Sequence, residues 1–508
     1  ITVNKKIRNL IIGAVVLVLL VGVLLLLIFL PEQDTTEEES SAAESSYTSS
    51  TVELFSREAE EVESITLENE SGSIVINREE EDDSSVYTVE GLEDVDTNSS
   101  ASSLASSLNT VSATQLVEEN PSDIAKYGLD SPSATITVNY TDGTSNVLYF
   151  GDTLPTGSGA YGMVNDDASV YAMSSTLVSY TGSILTDFVD TTVVPTWEAP
   201  ASEESSGTTK TEPDIRSMSV TGGTLGDVLG DTPFTFVMGE TNEEMESYGV
   251  SGSTWTITSP VTASLHTENT ASIREGAYGL SASSVAAVHP DEAALAEYGL
   301  ADPYCVVEFD REGEEFTLTI GNSDGGTGRY VMVNGKDVVF VVAESELPWI
   351  SIDLNQMLST LIFLPYIDDV SQVDLTIGDE TYVFELTLGE PEVNEDGEEE
   401  EPTLESVTCN GEEISLDNFR TMYQYLLSAP AEEVNLDGAT GTLLASFTYH
   451  YHDNPDQTDT IEIFQISERR CSIALNGRND FTWRMAYYTR LVENMEALLN
   501  GEEPVLDY

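Results

Sequence analysis

The chain has 508 residues, with 18 Lys and Arg against 91 Asp and Glu, a formal net charge of −73. Such an acid excess repels phosphate backbones and anionic lipid surfaces, which sets nucleic-acid binding aside as a function class. Apolar residues still make up 40% of the chain, enough to build cores, so the acidity belongs to folded surfaces rather than to a disordered tail.

The first predicted element is an apolar run at 10–30 that contains no charged residue. At helical rise its length spans about 31 Å, one hydrocarbon core. Lys5, Lys6 and Arg8 precede it, and Pro31 and an acidic Ser/Thr tract follow. That asymmetry predicts a cytoplasmic N-terminus at 1–9, a transmembrane anchor at 10–30 and an exported remainder, placing the protein at a cell membrane. The run exceeds the apolar core of a signal peptide and no A-x-A pattern closes it, so an uncleaved anchor is expected. Residues 31–50 hold almost no large apolar side chain and read as a flexible acidic stalk.

Beyond the stalk the chain repeats itself. A first unit is assigned to 51–196, a linker with Pro200 and Pro213 to 197–213, and a second unit to 214–365. Tyr127-Gly-Leu129 is followed by Pro132, and Tyr298-Gly-Leu300 by Pro303, 171 residues later. Downstream, Tyr161-Gly-Met-Val-Asn165 matches Tyr330-Val-Met-Val-Asn334. A repeat this long is a duplicated domain rather than a solenoid element. The motif has a mechanical reading: Gly128 and Gly299 stand where a short helix ends in a left-handed residue, the Leu packs back, and the Pro forbids continuation. A divergent third unit, lacking the motif, is assigned to 366–508, with an exposed acidic insert at 390–402. It is expected to contain helices near 415–428 and over 482–499. The last carries a stripe of Phe481, Met485, Tyr488, Val492, Met495 and Leu499.

Ile136, Val138 and Tyr140 alternate with Thr135, Thr137 and Asn139, the pattern of a strand with one wet face. The expected class is therefore α+β: tandem similar units of antiparallel β-hairpins with helices on one face, behind a single N-terminal transmembrane helix.

Little points to chemistry. Three cysteines, Cys305, Cys409 and Cys471, are too sparse for a disulfide framework; Cys305 reads as core, and one Cys409–Cys471 bond is conceivable. His450-Tyr-His452 is the only local histidine pair, with Asp453 and Asp456 nearby, but no third ligand stands at evident spacing. His266 and His289 are isolated. No nucleophile elbow and no Gly-x-x-x-x-Gly-Lys-Ser/Thr loop occurs, and the Gly-rich stretches 156–159 and 324–328 read as hairpin loops. Neither catalytic residues, nor a cofactor, nor a bound metal is expected. One local contrast remains. Arg469, Arg470, Arg478, Arg484 and Arg490 cluster on a chain otherwise poor in base, with Trp483 and Tyr487 interleaved. Arg and aromatics are enriched at partner interfaces, while pairing with the chain's own carboxylates is the plainer use of the same charge.

The two Tyr-Gly-Leu-x-x-Pro segments, with the strand ends at Gly151 and Gly321, resemble the domain of unknown function 4340 (DUF4340) family of bacterial single-pass membrane proteins. The resemblance covers most of 60–350 and carries no catalytic residues. It implies an accessory subunit of an ABC-type transport system of the gliding-motility kind. The expected function is thus a non-enzymatic, membrane-anchored extracytoplasmic protein working through contact with an ABC transporter permease or related membrane subunit. The alternative is a cell-surface binding module for a glycan, wall polymer or host ligand.

Overall fold

The strand Ala134–Tyr140 buries Ala134, Ile136, Val138 and Tyr140 and leaves the residues between them half-exposed. That alternation is the unit from which the molecule is built. The computed structural model describes residues 51–81, 84–199, 210–238, 254–359, 363–391, 401–428 and 433–507. The anchor at 10–30, the stalk at 31–50 and most of the insert at 390–402 lie outside the described residues. Among those described, no helix is long and apolar enough to cross a membrane.

Mostly antiparallel sheets with a few helices make this an α+β protein. The first sheet comprises β1 (Val52–Ser56), β2 (Val62–Asn69), β3 (Gly72–Glu81), β4 (Ser84–Val89), β5 (Thr110–Glu118), β6 (Ala134–Tyr140), β7 (Ser145–Thr153), β8 (Ala160–Val164) and β9 (Val170–Met173). Its order is β1-β5-β9-β8-β7-β6-β2-β3-β4. A two-stranded ribbon follows, β10 (Thr192–Val194) pairing with β15 (Leu280–Ser281). The second sheet holds β11 (Ile215–Gly222), β12 (Phe234–Met238), β13 (Trp255–Ser259), β14 (Ala263–Ser264), β16 (Ser284–Val288), β17 (Cys305–Arg311), β18 (Glu314–Ser323), β19 (Gly328–Val333) and β20 (Val338–Ala343). The third holds β21 (Val370–Ile377), β22 (Glu380–Leu388), β23 (Leu404–Cys409), β24 (Glu412–Glu413), β25 (Glu433–Val434), β26 (Thr442–Tyr451), β27 (Thr458–Gln465), β28 (Arg470–Leu475) and β29 (Arg478–Arg484).

One order recurs in all three. The first sheet contains the path β5-β9-β8-β7-β6-β2-β3-β4, the second β16-β20-β19-β18-β17-β11-β12-β13, and the third β25-β29-β28-β27-β26-β21-β22-β23. In each case a helix lies between the strands at the two ends of this path: Ser100–Asn109 between β4 and β5, Ala271–Glu275 between β14 and β16, and Leu416–Leu427 between β24 and β25. A shared asparagine marks the same register. Asn165 exchanges two bonds with the backbone of Val147, Asn334 with Thr317, and Asn476 with Thr460. In every case the asparagine N–H donates to the partner carbonyl and its Oδ1 accepts the partner N–H, at 2.7–3.0 Å. The third sheet lacks Tyr-Gly-Leu but keeps this device.

Buried residues from Val62 to Leu358 form one continuous cluster that also takes in Phe481, while the third sheet builds its own core from Phe363 to Leu498. The segment read as a linker is strapped down on its described side. Trp197 Nε1 donates to Glu312 at 3.0 Å, and β10 pairs into the second sheet's neighbourhood.

Two expectations are corrected. Cys409 and Cys471 are both buried and free. They sit on β23 and β28, five positions apart in the strand order, about 24 Å at the usual inter-strand spacing, so no bond can join them. The last helix runs Met485–Leu499 rather than 482–499, because β29 continues to Arg484 and holds Phe481. Its buried face is accordingly Tyr487, Leu491, Asn494, Met495 and Leu498, and Leu499 is half exposed. The spacing of three and four was right; a strand residue was counted as its origin.

Candidate functional site

The arginine-rich segment is decided by a hairpin. β28 and β29 pair antiparallel around the turn at Asn476-Gly477, with Arg470 directly opposite Arg484. Residues fourteen apart in sequence therefore share the open end of one hairpin. The Met485 N–H donates to the Arg469 carbonyl at 2.9 Å, which starts the last helix beside them. Arg469, Arg470 and Arg484 thereby line one open groove of about 600 Å³, together with Glu468, Met485, Ala486 and Thr489. Arg470 holds the Glu433 carboxylate at 3.0 Å across the groove's edge. Arg470 reaches both oxygens of that carboxylate, the paired-bond geometry by which a guanidinium holds a carboxylate.

The other members of the sequence cluster are not at this place. Arg478, at the closed end of the hairpin, donates to the Thr262 carbonyl at 3.0 Å and pairs with Asp480 at 2.9 Å, joining the third sheet to the second. Arg490 donates to the Asp507 carbonyl at 2.9 Å and pairs with Glu493, tying down the C-terminal segment. Trp483 and Tyr487 are 0% exposed, so neither belongs to a surface interface. Strand alternation turns Trp483 inward, next to Arg484 outward, and Tyr487 stacks between Trp483 at 4.2 Å and Tyr425 at 4.8 Å. The aromatics are the packed floor behind the groove. Glu468 and Met485 were not anticipated as groove residues; the hairpin register brings them together, and the pairing of β25 with β29 brings Glu433 to Arg470.

The Tyr-Gly-Leu motif is structural in the way its residues predict. Gly128 and Gly299 are left-handed, at φ 69° and 71°. Leu300 N–H donates to the Leu295 carbonyl at 2.8 Å and Gly299 N–H to Ala296 at 3.2 Å, the paired bonds that close a helix end. Docking onto the sheet was not legible. Tyr127 packs on Tyr161 with ring centroids 4.8 Å apart, and Tyr298 on Tyr330 at 4.5 Å. Gly151 and Gly321 let the strand approach the motif: an added Cβ would lie 2.2 Å from the Tyr127 carbonyl and 2.3 Å from the Tyr298 carbonyl.

His450 is engaged by Asp374 of β21 at 2.9 Å. Among the described residues no group of three or more His, Cys, Asp or Glu is placed to hold a metal ion. A larger concavity, about 670 Å³, lies at the end of β2 and β6 beside Thr181 and Gly182; its charged residues are Glu68 and Glu70.

A family model described as Domain of unknown function (DUF4340) matches residues 92–228 and 255–434, well over half of the chain. No curated protein matches, and no solved structure matches.

Proposed function

This chain belongs to the DUF4340 family, and on that premise we propose that it is the non-enzymatic, exported part of a membrane-anchored protein, acting as an accessory subunit that docks on an ABC-type transport complex. The observation that carries the reading is the groove of Arg469, Arg470 and Arg484 on a chain of net charge −73. Three guanidiniums around one opening, beside Glu433 and Glu468, concentrate positive charge on a strongly acidic chain, and such a concentration favours a partner with carboxylates while the surrounding acid repels others. Met485 and Ala486 add an apolar floor, the composition of an interface centre. The three sheets of one strand order form the scaffold that carries this face.

The test is site-specific photocrosslinking from Thr489 in native membranes, with captured proteins identified by mass spectrometry. The expected product is a permease or equivalent membrane subunit of an ATP-driven transporter, lost in the Arg469→Glu, Arg484→Glu double variant. Products confined to lipid, wall polymer or the chain itself would overturn the reading, as would a transporter product indifferent to the charge reversal.

A further inference from the structure

Where β16 ends, His289 takes a left-handed backbone at φ 49° and is followed by Pro290. The equivalent position before the first Tyr-Gly-Leu segment is Asn120, also left-handed at φ 48° and followed by Pro121. Asparagine is an ordinary occupant of that conformation, and backbone geometry does not require a titratable ring there. The second copy has one, and it faces the first sheet. His289 Nδ1 lies 3.0 Å from Asp337 Oδ2, in the turn between β19 and β20, and Nε2 lies 3.3 Å from Asp94 Oδ1, in the segment after β4. Beside it Lys336 donates to the Thr192 carbonyl at 2.9 Å and pairs with Asp96 at 3.1 Å. Asp94, Asp96, Lys336 and Asp337 also line a neighbouring cavity of about 100 Å³.

We propose that His289 is a proton-operated latch that holds the Asp94–Asp96 segment of the first sheet against the Lys336–Asp337 turn of the second. Both ring nitrogens face carboxylates. Only the imidazolium donates from both, so only the protonated ring bridges Asp94 and Asp337, while the Lys336–Asp96 pair joins the same segments at either pH. The neutral ring keeps one donor and leaves one carboxylate facing a lone pair. Glu93, Asp96, Asp190 and Asp291 complete the local charge with Lys336. Carboxylates and lysine do not ordinarily change state between pH 6 and 8.5, which leaves His289 as the titrating member in that window. The Asp337 bond and the two aspartate charges raise the His289 pKa above its ordinary value. The latch is therefore complete below about pH 6.5 and is lost as pH rises through the raised value. The core behind it is shared by both sheets and the Lys336–Asp96 pair remains, so release loosens the Asp94 side of the contact without parting the sheets.

The experiment is hydrogen exchange by mass spectrometry on the full-length chain at pH 6 and pH 8.5, with rates normalised to the intrinsic rate at each pH. Peptides covering 92–97 and 334–338 should be protected about threefold or more at the lower pH, with the peptide of β6 unchanged as reference. His289→Asn suits the left-handed backbone and should show low, pH-independent protection at both segments. Asp94→Asn should abolish the pH dependence at 92–97 while leaving the Asp337 contact in place. Equal pH profiles in the wild type and His289→Asn would overturn the proposal, as would a wild type with no pH dependence at either segment.

Discussion

Arg311, at the end of β17, donates from Nη1 to the carbonyl of Pro195 at 2.7 Å, across 116 positions of sequence. The same guanidinium reaches the Tyr278 carbonyl at 3.1 Å and Glu314 at 3.1 Å, and lies over the Phe316 ring at 4.8 Å. Its side chain is 5% exposed. One buried cation thus fastens the segment leaving the first sheet to the body of the second.

Replacing Arg311 with Met keeps the volume and removes every donor. The carbonyls of Pro195 and Tyr278 would then lose a charged partner in a part-buried place. The expected cost is about 2–4 kcal/mol in urea unfolding. A loss below about 1 kcal/mol would show that the strap is held by the β10–β15 ribbon alone.

Gly321→Ala should destabilise through overlap with the Tyr298 carbonyl, because that oxygen is backbone and the Cβ position is fixed by the backbone, so neither can yield cheaply. The expected loss is about 1–3 kcal/mol. Gly182→Ala serves as control, since a Cβ there meets nothing within 4 Å, and should stay within about 0.5 kcal/mol. Thermal melts of both variants separate close approach from the general cost of replacing glycine.

Tyr449 is fully buried in the third core, and its hydroxyl has no hydrogen-bond partner among the described residues. Burial pushes its pKa far up, so it stays neutral at any working pH. Tyr449→Phe removes an unsatisfied polar atom and leaves the ring contacts with Phe363 and Tyr423. Stability should rise by about 1 kcal/mol; a fall of that size in chemical denaturation would refute the account.

Glu312 accepts from Lys210 and from the Trp197 indole, and these bonds, Lys210 first, hold its carboxyl below the usual carboxylate range. A depressed carboxylate stabilises the fold above its unfolded value, about 4.3, and that share is lost as pH falls through the lower folded value. The melting-temperature gap between the wild type and Glu312→Gln should therefore be larger at pH 7 than at pH 3. A gap that stays constant with pH would assign the effect to packing.

Much of the local structure was readable before any tertiary contact was known. Alternation placed Ile136, Val138 and Tyr140 on the buried face of β6, and Gly128 and Gly299 announced two left-handed helix ends. The misplaced stripe of the last helix shows the limit of that reading. Phe481 and Met485 are four apart, as a helix face requires, yet a strand that ends at Arg484 separates them. Periodicity cannot distinguish the two when strand and helix abut without a breaker.

The arginine segment divides the two kinds of information most clearly. Composition alone determined that base is concentrated there, that the chain is strongly acidic and that its repeats build similar antiparallel sheets. Those properties are carried by neighbouring residues and by periods of two and of three to four. Only the tertiary structure decided that Arg470 faces Arg484, that Arg478 and Arg490 are used to fasten other segments, and that Trp483 and Tyr487 are core. Which strand lies beside which, and in what register, depends on pairings such as His450 with Gln372, whose partners are far apart in the chain and leave no local mark. A shift of one residue in such a register turns every side chain to the other face, so the surface that could meet a partner is set by the sheet and not by the sequence cluster.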